Sequence, residues 1–134
     1  MSSSVSKEIL IVEDDAPMRK LLAKWLAEEG FRTHEAGDAD AALDVVATTP
    51  IAVMTIDKAM PGHDGLWLIE QIQQRYPTIA MLLATGDDSV PERVMLSRGV
   101  QGYLVKPFKP ELVVGAVNDA LAWHRVAARR ASST

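Results

Sequence analysis

The sequence predicts an α/β domain built on a parallel sheet, and three observations carry that expectation. Short, continuous, β-branched apolar runs alternate with stretches that carry apolar residues at helical spacing. Most of those runs lack the two-residue period of a half-exposed strand, so they read as strands buried on both faces. The connections between the two kinds of segment are short, and strands alternating with helices return parallel through right-handed crossovers. A chain of 134 residues with 48% hydrophobic and 24% charged residues has the size and core of one soluble domain.

The elements follow in order. Ile9-Leu10-Ile11-Val12 is the first strand, and it ends in three acids. Pro17 suits the first turn of a helix, and Met18, Leu21, Leu22, Trp25 and Leu26 form one apolar face. Gly30 stops that helix. Phe31 to Ala36 is mixed and partly alternating, as an edge strand is, with His34 expected to face solvent. Ala39, Ala42, Leu43, Val46 and Ala47 outline the second helix, and Ile51 to Ile56 a further buried strand. After a loop bearing Gly and Pro, Leu68, Ile69, Ile72 and Tyr76 mark the third helix. Ile79 to Ala84 is a strand, Val90 to Arg98 a short helix with a weak stripe, and Val100 to Val105 the last strand. Val113, Ala116, Val117, Ala120 and Leu121 define a final helix running toward Arg130. The domain is expected over residues 7–124, after a disordered polar segment at 1–6 and before a helix end and tail or linker at 125–134.

Several function classes are excluded or disfavoured. No apolar run approaches the roughly 20 residues of a membrane span. The polar N-terminus has no apolar region of the kind a secretory signal carries. The absence of cysteine removes disulfides and thiolate metal sites, which suits the cytoplasm. A net charge of −4 gives no electrostatic basis for nucleic-acid binding by the domain itself.

In sheets of this kind the ligand site lies beyond the carboxyl ends of the strands. Those ends carry Glu13-Asp14-Asp15, Asp57, Thr85-Gly86 and Lys106-Pro107. Acids so concentrated are costly unless something neutralises them. A hard dication does so, and Mg²⁺ is held by one or two carboxylates with waters and phosphate oxygens. A hydroxyl at Thr85 and an ammonium at Lys106 would then meet an anion. Carboxylate, Mg²⁺, hydroxyl and ammonium together suit in-line phosphoryl transfer, with aspartate as the nucleophile. Taken singly, each residue has a plainer role. Asp14 or Asp15 is a helix cap, Asp57 a turn residue, Thr85 a loop cap, Lys106 a solvated lysine and Tyr103 a half-buried strand aromatic. The conjunction on four strand ends is what favours chemistry. His34, His63 and His124 are scattered, without metal-ligand spacing.

With these segments in view the sequence resembles a response-regulator receiver domain of two-component signalling, in the CheY-like superfamily. The matching segments are Ile9 to Asp15, Asp57-Lys-Ala-Met-Pro-Gly-His-Asp-Gly65, Leu83 to Gly86 and Gly102 to Phe108. The resemblance spans about Ile9 to Leu121 and implies a flavodoxin-like (βα)5 three-layer sandwich with strand order 2-1-3-4-5. It implies that Asp57 is the phosphoacceptor, that Glu13, Asp14, Asp57 and the Ala59 main-chain carbonyl hold Mg²⁺, and that Thr85 and Lys106 bind the phosphoryl oxygens. Thr85 and Tyr103 are the implied switch residues, and Lys106-Pro107 an implied cis bond. The implied partners are a histidine kinase or histidine phosphotransfer protein, and an output domain or protein on the face formed by the 90–98 helix, the last strand and the last helix. Homodimerisation on phosphorylation is a further implication. Such a domain is not a turnover enzyme, since it catalyses only its own phosphorylation and dephosphorylation.

The sequence departs from the family at Lys58, which follows the acceptor at a usually apolar position. Ala59 and Asp87 occupy places whose side chains tune the lifetime of the acyl phosphate. Three other readings fit less well. A haloacid-dehalogenase-type aspartyl phosphatase wants a second acid where Ala59 stands. A flavodoxin-like cofactor binder wants a hydroxyl- and glycine-rich loop where the first strand ends in three acids. A docking module that accepts no phosphate would not require the set Asp14, Asp57, Thr85 and Lys106.

Overall fold

The computed structural model describes residues 7–86 and 99–132. The helix expected over Val90–Arg98, the residue Asp87 and the N-terminal segment 1–6 lie outside the described residues. In chain order the elements are β1 (Glu8–Val12), α1 (Ala16–Glu28), β2 (Arg32–Ala36), α2 (Ala39–Thr48), β3 (Val53–Asp57), α3 (Gly65–Arg75), β4 (Ala80–Thr85), β5 (Gly102–Val105) and α4 (Pro110–Ser132). The five strands form one parallel sheet in the order β2-β1-β3-β4-β5, as the family resemblance implied. None of the described helices is long and apolar enough to cross a membrane.

Alternation along the buried strands divides the core in two, because successive side chains point to opposite faces. Leu10 and Val12 of β1, Met54 and Ile56 of β3, and Met81 and Leu83 of β4 pack against α2 and α3. Ile9 and Ile11, Val53, and Leu82 and Ala84 pack on the other face against α1 and α4. Leu22 and Leu26 of α1, Leu68, Ile69 and Ile72 of α3, and Val113, Val117 and Leu121 of α4 are buried as the sequence patterns predict, whereas Leu21, read as part of the α1 face, is exposed.

Three helix starts are capped by aspartate. Asp15 accepts from the Met18 N–H, Asp38 from the Ala41 N–H at 2.7 Å and Asp64 from the Trp67 N–H at 2.9 Å. The choice left open between Asp14 and Asp15 as the first cap falls on Asp15, which leaves the Asp14 carboxylate for the cleft described below.

Two expectations need correction. The last strand begins at Gly102, not Val100, because the Gln101 side chain takes over the ladder. Its Oε1 accepts from the Met81 N–H at 2.7 Å while its own N–H donates to Met81 O at 2.8 Å. His34 does not simply face solvent. It is half-buried on the edge strand, with Nε2 2.8 Å from Glu8 Oε1. The last helix runs from Pro110 through Ser132, in line with the expected run toward Arg130. Its late buried contact is His124, whose Nδ1 lies 2.7 Å from the carbonyl oxygen of Thr78.

Ile11 is fully buried at the sheet centre, whereas Leu112 is 64% exposed. Ile11→Ala should destabilise the domain by about 2–5 kcal/mol, and Leu112→Ala by less than about 0.5 kcal/mol, in urea unfolding. Equal losses at the two positions would contradict the placement of the core.

Candidate functional site

The strand pairing continues past the strand ends and fixes the backbone of the site. The Glu13 N–H donates to Ala36 O at 3.1 Å, the Lys58 N–H to Ala84 O at 2.8 Å and the Lys106 N–H to Thr85 O at 2.9 Å. The start of α3 closes on the same place. A Cβ on Gly65 would stand 2.4 Å from the carbonyl oxygen of Asp57, so only glycine lets the helix approach the β3 end this closely.

Glu13, Asp14, Asp57, Ala59, Thr85 and Lys106 thereby line one open cleft of about 880 Å³ at the carboxyl edge of the sheet. Glu13, Asp57 and Thr85 are buried, and Asp14 is exposed. One carboxylate oxygen from each of Glu13, Asp14 and Asp57 lies within 4.8 Å of the others. The Lys106 Nζ stands 3.3 Å from Glu13 Oε1 and 3.6 Å from Asp57 Oδ1. The Ala59 N–H donates to Asp57 Oδ1 at 3.2 Å, and the Asp15 N–H to Glu13 Oε2 at 3.3 Å.

This crowding sets the protonation of the site. Burial, and then contact with Asp57, push the Glu13 carboxyl up to about 7, against the Asp15 N–H and the Lys106 charge. Burial alone would lower Lys106, but the Asp57 and Glu13 carboxylates outweigh it and raise its pKa above the usual lysine value.

The donors suit a hard cation. Three carboxylates converge, and among the described residues buried Glu13 Oε1 has only the Lys106 ammonium, at 3.3 Å, to balance it. Three carboxylates sharing one lysine leave room for a further positive ligand with oxygen preference.

Tyr103 is not brought into this cleft. It lies on β5, 38% exposed, beside a surface groove shared with Val105 and Leu112. The histidines also lie elsewhere: the His63 ring stacks on Trp67 with centroids 3.7 Å apart, and His34 and His124 keep the partners given above.

Sequence reasoning missed two residues that shape the site. Gly65 was read only as part of a motif. Arg19 was passed over on the polar side of α1, yet its Nη1 donates to Glu13 O at 2.8 Å and its Nε to Glu35 Oε1 at 3.0 Å. No spacing rule reaches such a contact, although a cation one turn inside a helix that starts on acids is a usable hint.

The family model described as the response regulator receiver domain matches residues 9–118. The chain belongs to this family. This receiver domain is 35% identical over 136 residues to the transcriptional regulatory protein ResD of Bacillus subtilis, covering 100% of the chain and 53% of ResD. It is 34% identical over 119 residues to the transcriptional regulatory protein SrrA of Staphylococcus aureus, covering 87% of the chain and 48% of SrrA. The chain thus spans about half the length of these curated relatives. Among solved structures it is similar to the receiver domain of NtrX from Brucella abortus, with a TM-score of 0.80 and 30% identity, covering 85% of this chain and 98% of that one. Membership places the domain in two-component signalling.

The raised Glu13 pKa fixes a sign for stability. The folded state holds this proton more tightly than the unfolded chain, whose carboxyl has the ordinary value of 4.5. The associated stability is complete below that value and is lost as pH rises through about 7. In chelator-treated protein the melting temperature should therefore fall between about pH 5 and about pH 8, and Glu13→Gln should flatten that fall. A wild-type curve that rises over this range, or an unchanged slope in Glu13→Gln, would contradict the assignment.

Proposed function

We propose that this receiver domain accepts a phosphoryl group on Asp57 from a phosphohistidine, carried by a histidine kinase or a histidine phosphotransfer protein. The observation that carries the proposal is a buried aspartate at a strand end, with two further acids and a lysine converging on it in one open cleft. Glu13, Asp14 and Asp57 would hold Mg²⁺, and the family resemblance adds the Ala59 main-chain carbonyl. When bound, Mg²⁺ neutralises charge on the phosphoryl oxygens.

The chain's own residues then have defined tasks. An Asp57 carboxylate oxygen attacks phosphorus in line. The new O–P bond forms as the N–P bond of the donor breaks, and the bonding pair goes to the ring nitrogen. The donor imidazole leaves neutral, with its other nitrogen carrying the proton. The Ala59 N–H, already on Asp57 Oδ1, helps to hold the nucleophile's orientation. The Lys106 ammonium, now shared between two carboxylates, serves a phosphoryl oxygen once the group arrives. The Thr85 hydroxyl serves another.

The resulting dianion biases a switch. Thr85 moves toward the phosphoryl group, Tyr103 rotates toward the space it leaves, and the surface of β5 and α4 changes. Exposed Tyr103, Val105 and Leu112 on that surface support a partner there. By likeness to the transcriptional regulatory proteins ResD and SrrA, its output is transcriptional, through a further domain or partner; the family resemblance adds a homodimer favoured by phosphorylation. The domain modifies only itself and turns over no separate substrate beyond its donor.

Incubation with acetyl phosphate and Mg²⁺ should add about 80 Da, the mass of one phosphoryl group, to the wild type and nothing to Asp57→Asn. The amide is nearly isosteric but is not a competent nucleophile. An equal gain in both proteins by intact-mass spectrometry would exclude Asp57 as the acceptor.

A further inference from the structure

Arg19 is the least explained charged group near the cleft. It sits in the second turn of α1, and its side chain is only 17% exposed. A solvated helix lysine or arginine usually keeps its head in water. Here the guanidinium is turned inward, toward the end of β1. Nη1 donates to the carbonyl oxygen of Glu13 at 2.8 Å, and Nε pairs with Glu35 Oε1 on β2 at 3.0 Å.

The Glu13 main chain is thus held on both sides. Its N–H is tied to Ala36 O, and its C=O to Arg19. That carbonyl belongs to the peptide linking Glu13 to Asp14, so fixing it fixes the exit direction of both side chains. Their carboxylates are the ones that approach Asp57. Repulsion among the three acids pushes this loop away from β3. Arg19 opposes that push from behind, without contacting the cleft. Lysine could not do the same: one ammonium lacks the planar fork that reaches a carbonyl and a carboxylate together.

We infer that Arg19 is a positioning residue for the metal-binding acids, setting the cation affinity of the Glu13–Asp14 pair through the Glu13 carbonyl. This rests on the Mg²⁺ reading proposed above. Groups one step removed from a metal ligand typically change affinity by about 10–100-fold when lost.

The test is Mg²⁺ titration of the phosphate-free protein by amide NMR, following residues 13–15 and 57–59, with melting temperature measured in parallel without metal. Arg19→Met should weaken Mg²⁺ binding by about 10-fold or more. Arg19→Lys should recover only part of the affinity, and Glu35→Gln, which leaves the Glu13 contact in place, should stay near wild type. If Arg19→Met does not fold, Arg19→Lys decides, since it keeps the charge. Wild-type affinity in Arg19→Met or full recovery in Arg19→Lys would overturn the inference. A lower metal-free melting temperature with unchanged affinity would do so too, by making Arg19 a plain tie between α1 and the sheet. Absence of Mg²⁺ binding in the wild type itself would instead strike the metal reading.

Discussion

Repulsion among the carboxylates of Glu13, Asp14 and Asp57 is the constraint around which the rest of the domain is arranged. Their oxygens approach within 4.8 Å. Two like charges about 5 Å apart near a protein surface repel by about 3 kcal/mol. Three such pairs would rival the whole stability of a small domain, about 5–15 kcal/mol. Two features limit the cost without metal: Lys106 stands between Glu13 and Asp57, and burial favours the protonated form of Glu13. Under the proposed function, a bound dication or a phosphoryl group would exchange these arrangements for others and so bias a conformational change.

The sheet is what makes the crowding possible. In the register, Val12 of β1 pairs with Ile56 of β3, and Asp57 with Ala84 of β4, so the strand ends fall at one level. Fully buried strands with helices on both faces leave the sheet little freedom to relieve the strain by sliding, because a one-residue slip would move every apolar side chain to the wrong core. Gly65 and Arg19 add local closure, one by letting α3 approach Asp57 and the other by tying the Glu13 carbonyl.

Much of this was legible in the sequence, for physical reasons. Apolar runs stop where charge begins, so Glu13, Asp57 and Lys106 announce themselves as strand ends. Parallel topology then places them on one edge. Other features were hidden because they depend on side-chain reach across elements. Gln101 pairs with Met81 through its amide, which shortens β5 although Val100 is apolar and buried. His34 finds Glu8 on the neighbouring strand. The basic end of α4 was legible as a helix terminus, and the buried His124 shows how far the packed part reaches. Tyr103 looks like any strand aromatic, and only the register against Leu83 shows which strand pair carries it.

If relief of carboxylate repulsion is the organising energy, it should be visible as thermal stability. The direct measurement is the melting temperature of the wild type and Asp57→Asn across millimolar Mg²⁺ at neutral pH. The wild type should rise with Mg²⁺, and metal-free Asp57→Asn should already melt above the metal-free wild type, because one repelling charge is gone. A wild-type melting temperature that stays flat across the titration, with Asp57→Asn no more stable, would contradict the account.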